Sequence, residues 1–246
     1  MPFTGAHPAI FLPFLKNKRL SATGLIAGSI SPDFEYFLKM SSGHIHSHTF
    51  YGVFYFDLPV SVAISLIFHL IVREPLADHL PAVLKKRTLF KTDFNFLHHL
   101  KKNYTVFTVC VITGAFSHLG WDLLTHNSWL IKDISLYQMF SLKIGEERYP
   151  LFYVLQQVST FIGTGAVLFY LYWQTGEPPA AERKRSGVPW FWPVVVVCTI
   201  LIFCVRFSRT EELPEFGDSV VTLISATLLS LTAVSVAYRR KNKIQN

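Results

Sequence analysis

Five long apolar runs divide this chain, and a chain patterned this way can fold in few ways. They cover 53–72, 104–124, 151–173, 190–207 and 217–238. A helix needs about 20 apolar residues to cross the hydrocarbon core of a bilayer. Strands are a poor alternative, because an open sheet in lipid leaves backbone groups without hydrogen bonds. The expected fold is therefore all-α: a polytopic integral membrane helical bundle with about five transmembrane helices. Composition agrees, since 16% of residues are charged and 50% are hydrophobic, against about 25% charged in soluble domains.

The first 52 residues differ. Two short apolar pieces, 8–15 and 22–30, flank the basic KNKR and fall short of spanning length. They predict two short interfacial or re-entrant helices, with a loosely ordered soluble tail as the alternative. The opening residues lack the basic start and long apolar core of a cleavable signal peptide. Three blocks follow: a core over 1–173, a basic Pro-rich linker over 174–189, and two C-terminal transmembrane helices with a basic tail over 190–246.

The net charge of +7 does not point to nucleic acid, because Lys and Arg fall between the apolar runs. Such residues gather on the cytoplasmic side of membrane proteins. Loop 73–103 holds seven, loop 174–189 three and the tail after 238 four, fourteen together on one side of a five-span bundle. The other side holds four before residue 53, three in 125–150, and Arg209. The basic loops and C-terminus are thus expected in the cytoplasm, with the end of the second span on the outer face.

At that end lies GAFSHLGWDLLTH, with His118, Asp122 and His126 four residues apart. Residues four apart share a helix face, so His118 and Asp122 can meet one ion. His126 lies about 12 Å from His118 along a continuous helix, and reaches the same ion only if the helix ends or bends. The plainer alternative is that His118 and Asp122 bond to each other or to neighbouring helices. Yet His7 (in AHP), Asp33 (in SISPDFEYF) and the triple His44, His46 and His48 (in GHIHSH) fall on the same expected membrane face. Imidazole and carboxylate suit zinc, manganese or iron. Each has its alternative: His7 at a helix start, Asp33 in a turn, the histidine triple in an exposed loop. Asp57 could orient a ligand histidine or cap a helix. His69, His79, His98 and His99 read as solvated or interfacial, and Gln156 and Gln157 as polar groups that bond to the site or pack between helices. Cys110, Cys198 and Cys204 lack CxxC spacing and read as small apolar side chains. No GxSxG, HExxH, phosphate-loop or dinucleotide motif is present.

The segments MPFTGAHPAIFLPF, LIAGSISPDFEYF, HTFYGVFYFDLP, GAFSHLGWDLLTH and LQQVSTFIG, in this order, resemble a bacterial membrane-protein family of unknown function, DUF4184. That family is in turn similar to inner-membrane proteins described as metal-dependent hydrolases, one LexA-regulated, and more distantly to zinc-dependent phospholipase C. The resemblance covers 1 to about 173. It implies a bacterial inner-membrane protein whose metal site is carried by His7, Asp33, His48, His118, Asp122 and His126, with Asp33 and Asp122 central to catalysis. By its spacing to Gly52, His48 takes the family's histidine position.

The expected activity is metal-dependent hydrolysis of an ester or phosphodiester, with a lipid or lipid-linked molecule at the bilayer surface as the candidate substrate. A divalent metal, zinc first and manganese or iron as alternatives, would acidify a water. The ligand number leaves room for a second ion about 3.5–4 Å away. The runner-up is a non-catalytic multi-pass protein, a metal transporter or structural partner, although a transporter wants polar groups along a path through the membrane.

Overall fold

The computed structural model describes residues 3–81, 94–125, 141–144, 147–173, 188–208 and 215–245. They are mostly helical. A 3-10 helix, Thr4–Phe14, comes first, followed by α1 (Ala22–Ile30) and α2 (Phe34–Lys39). Next come α3 (Val53–His79), α4 (Phe96–Lys102), α5 (Tyr104–Thr125), α6 (Leu151–Trp173), α7 (Phe191–Phe207) and α8 (Phe216–Gln245).

Among the described residues, four helices are long and apolar enough to cross a membrane: Val53–His79, Tyr104–Thr125, Leu151–Trp173 and Phe216–Arg240. They make this a membrane protein. The run at 190–207 forms α7, a shorter apolar helix of 17 residues.

Three local features depart from expectation. The fold is not purely α, because Ser141–Ile144 and Glu147–Pro150 pair as an antiparallel hairpin. The first span runs past 72 to His79 and contains two π-helical segments, Val53–Asp57 and Phe68–Val72. Gly52 holds the N-cap position, so Asp57 lies inside the helix, fully buried, and does not cap it.

The described chain forms two compact units interleaved in sequence. The first comprises Met1–Asp33, His46–Ser61 and Asn103–Tyr170. There α1 lies along α5 at a separation set by glycine. A Cβ on Gly28 would sit 2.1 Å from the Val111 carbonyl oxygen, and one on Gly114 would sit 2.6 Å from that of Leu25. Small residues permit such close backbone approach between membrane helices. Phe11, Leu25 and Cys110 pack into one cluster. Ser21 starts α1 by accepting a hydrogen bond from the Gly24 amide, the usual N-cap arrangement. The helix Thr4–Phe14 contains Pro8 and Pro13, which donate no backbone hydrogen bond and disfavour α-helical bonding. It meets α6 where Ala6 packs on Gly163. Gly163 is the buried residue of α6. The exposed Phe161, Ile162, Leu168 and Phe169 beside it are side chains suited to lipid.

The second unit comprises Phe34–Ile45, Val62–Lys102 and Leu171–Asn246. Phe191, Val195 and Val234 join α7 to α8 in its core. His79, expected to be solvated or interfacial, is buried there. Its Nδ1 donates to the Pro75 carbonyl (2.7 Å), its Nε2 accepts from the Val188 amide (2.8 Å), and its ring stacks on Phe191. The tautomer is thereby fixed, and the ring pins the α7 entry to the end of α3.

Candidate metal centre

Five of the six sequence-derived candidates meet within the first unit. His7 sits on the N-terminal 3-10 helix and Asp33 ends the 3-10 turn Ser31–Asp33 that follows α1. His48 comes from the loop before α3, and His118 and Asp122 from adjacent turns of α5. His126 lies outside the described residues.

Two imidazole nitrogens and two carboxylate oxygens form the centre. His48 Nε2 and His118 Nε2 are each 3.2 Å from Asp122 Oδ2 and 3.5 Å from Asp33 Oδ1. His7 approaches from the side. Its Nε2 is 4.0 Å from the other oxygen of Asp122, Oδ1, and its ring stacks on His118 with centroids 3.7 Å apart. Two overlapping sets could hold a cation: Asp33, His48 and His118, and His7, His118 and Asp122. The side chains of Asp33 and His118 are fully buried, while that of Asp122 is 12% accessible. The centre therefore opens to its surroundings at Asp122.

Hydrogen bonds behind these atoms aim them. His118 Nδ1 donates to the Ser29 carbonyl oxygen (2.8 Å), which leaves Nε2 to face the carboxylates. His48 Nδ1 hydrogen-bonds to Ser47 Oγ (2.9 Å), with the same result. The Thr4 hydroxyl donates to Asp33 Oδ2 at 2.5 Å, leaving Oδ1 toward the two histidines. Metal-binding histidines and carboxylates characteristically carry such outer bonds. Nothing in the sequence pattern marked Thr4, because a single hydroxyl four residues from the start matches no spacing rule.

The loop sorts its three histidines. His44 Nδ1 hydrogen-bonds with the Tyr36 hydroxyl and His46 Nδ1 with that of Tyr55, while His48 turns to the carboxylates. His48 does so with a φ of +56°, a conformation that residues with side chains adopt rarely. A Cβ on Gly52 would meet the His46 carbonyl oxygen at 2.1 Å, so the loop needs glycine there.

Burial and the neighbouring groups shift the titration of these residues in different directions. Burial foremost, and then the neighbouring His118, lower the His7 pKa to about 4, which keeps its ring neutral. Burial alone would push the Asp33 carboxyl up, but His118, His48 and Thr4 hold it well below the usual carboxylate range. Burial likewise opposes a proton on His48, yet Asp122 and Asp33 outweigh it and raise its pKa. Gln157, one candidate to bond the site, is exposed.

Some aromatic residues near His48 are uncovered. Phe50 and Phe54 pack against Phe116 of α5, yet Phe50, Tyr51, Phe54 and Tyr55 all remain largely exposed at the start of α3. A family model for a domain of unknown function (DUF4184) matches residues 1–236. No curated protein and no solved structure matches the chain.

Proposed function

The chain belongs to the DUF4184 family, and from that premise we propose that it is a membrane-bound metal-dependent hydrolase acting on an ester or phosphodiester. The observation that carries the reading is the set of four nitrogen–oxygen separations, 3.2, 3.2, 3.5 and 3.5 Å. Ligands about 2.0–2.2 Å from a tetrahedral zinc lie about 3.3–3.6 Å from one another. Adjacent ligands around octahedral magnesium would lie about 2.9 Å apart, and calcium and magnesium prefer all-oxygen sets. Two imidazoles with two carboxylates favour zinc, with manganese or iron next.

Of these four groups, Asp33, His48 and His118 would hold the ion as one set, and Asp122 joins the overlapping set with His7 and His118. Asp122, the most accessible of the four, borders the side from which substrate approaches. Such an ion supplies an acidified water and positive charge for the oxygen on which charge develops. His7, neutral and beside the second oxygen of Asp122, fits a further ligand position or a contact that orients that carboxylate.

The exposed Phe50, Tyr51, Phe54 and Tyr55 favour a substrate at the bilayer surface, a lipid or lipid-linked ester, since aromatic side chains gather at the headgroup level. We place the protein in the bacterial inner membrane with α7 as a fifth span, the short N-terminal helices at the outer interface, and the basic loops in the cytoplasm.

Elemental analysis of the detergent-purified protein tests the reading. The wild type should retain about one zinc per chain, and the His118→Ala and Asp122→Ala variants should lose it. Turnover of phosphodiester or phospholipid by the loaded wild type, absent from both variants, completes the case. Metal-free wild type would leave a scaffold. Bound metal without turnover would favour transport.

A further inference from the structure

We propose that Thr4 is a positioning residue that restricts Asp33 to binding through one oxygen, an inference that rests on the metal-centre reading above. The hydroxyl of Thr4 has one proton, and it is donated to Asp33 Oδ2 at 2.5 Å. The other oxygen, Oδ1, lies 3.5 Å from both His48 Nε2 and His118 Nε2. Asp33 is fully buried, so water cannot readily replace the hydroxyl. Without that bond the carboxylate can rotate and offer both oxygens to an ion, or turn Oδ1 away from it.

The 3-10 geometry explains why Thr4 is in place. Side chains three residues apart eclipse one another on a 3-10 helix. Thr4 and His7 are three apart on Thr4–Phe14, so one face delivers the hydroxyl to Asp33 and the imidazole to His118. On an α-helix the two would diverge by about 60°, since three residues turn it about 300°. Pro8 and Pro13 lie in this helix, and in an α-helix the ring of each would clash with the carbonyl four residues before it. The short helix thus acts as a clamp on two groups of the centre.

The variants Thr4→Val, which keeps shape and loses the donor, and Thr4→Ser, which keeps the donor, separate this role from simple packing. Zinc affinity is measured by competition with a chromophoric chelator on full-length protein in detergent, together with the thermal midpoint of the zinc-free protein. Removing an outer-shell partner typically weakens metal binding about 10- to 100-fold. Thr4→Val should fall in that range, Thr4→Ser should stay close to wild type, and neither should shift the zinc-free midpoint in proportion. The infrared difference spectrum between zinc-loaded and zinc-free protein should change its carboxylate stretches in Thr4→Val and keep them in Thr4→Ser. Equal zinc affinity in wild type and Thr4→Val overturns the proposal alone. So does a loss in both variants that follows the zinc-free midpoint. A wild type that binds no zinc overturns it together with the metal-centre reading.

Discussion

His48 joins two demands in one residue. Its backbone adopts φ +56°, a conformation that holds only when its surroundings over-determine it and that clusters at functional sites. Its ring sits between two carboxylates, which favour its protonated form against burial. In the metal-free protein His48 therefore keeps a proton above its ordinary pKa of 6.5, and a metal must displace it. His7, with its pKa near 4, gives up none at neutral pH. Zinc binding should consequently release protons, and affinity should climb as pH rises past 6.5, as metal binding generally does when ligands must deprotonate. Calorimetry in buffers of different ionisation enthalpy counts the released protons; none released at pH 6.5 would contradict this account of His48. Most of the centre was legible one residue at a time, because His118 and Asp122 follow the i, i+4 rule and Asp33 and His7 sit in distinctive segments. Thr4 was not, and neither was His79. Its burial depends on Val188, Phe191 and Tyr238, more than a hundred residues away, whereas in the sequence it falls in a segment rich in Lys and Arg.

At the scale of elements, the α1–α5 contact sets the aim of His118. The acceptor for its Nδ1 is the backbone carbonyl of Ser29, so no side-chain substitution at 29 removes it, and only the separation of the helices can. That separation depends on Gly28, whose added Cβ would collide with the Val111 carbonyl oxygen, a backbone atom that cannot swing aside. Gly28→Ala should push α1 off α5, destabilise the protein by about 1–3 kcal/mol, the usual range for overpacking, and weaken zinc binding as well. Gly120→Ala is the control, because a Cβ there meets nothing within 4 Å. Thermal melts and chelator competition on both variants decide the matter, and identical behaviour would remove the glycine contact from the account. Sequence periodicity located α5 and α6 to within a residue, since long apolar runs bounded by polar ones leave little freedom. It missed the continuation of α3 to His79, because residues 73–79 carry charge and read as loop, while Tyr238 bonds to Asp78 and Arg239 to Glu74 in the folded chain. It also missed the paired strands Ser141–Ile144 and Glu147–Pro150, which at four residues each are too short to show a pattern.

For the whole molecule, the open quantity is the number of crossings, and α7 decides it. Its 17 residues rise about 26 Å, against a hydrocarbon core of about 30 Å, so it spans only with its polar flanks drawn close to the core. Two arrangements follow. If α7 crosses, the basic segments 73–103, 174–189 and the stretch after 238 share one side. If it does not, α8 carries the four positive charges after 238 to the side opposite the other ten. The positive-inside tendency acts on short loops near span ends and favours the first arrangement. The exposed Val196, Val197, Ile200, Leu201 and Val205 of α7 add to that preference, since a helix lying in water would leave them uncovered. A fluorescent reporter after residue 246 should therefore glow in the cytoplasm, and a periplasmic phosphatase at the same place should be inactive. The same pair of reporters placed between 174 and 187 should give the same answer. Opposite answers at the two places would mean that α7 does not cross, and active phosphatase at both would invert the molecule and put the His/Asp centre on the cytoplasmic face.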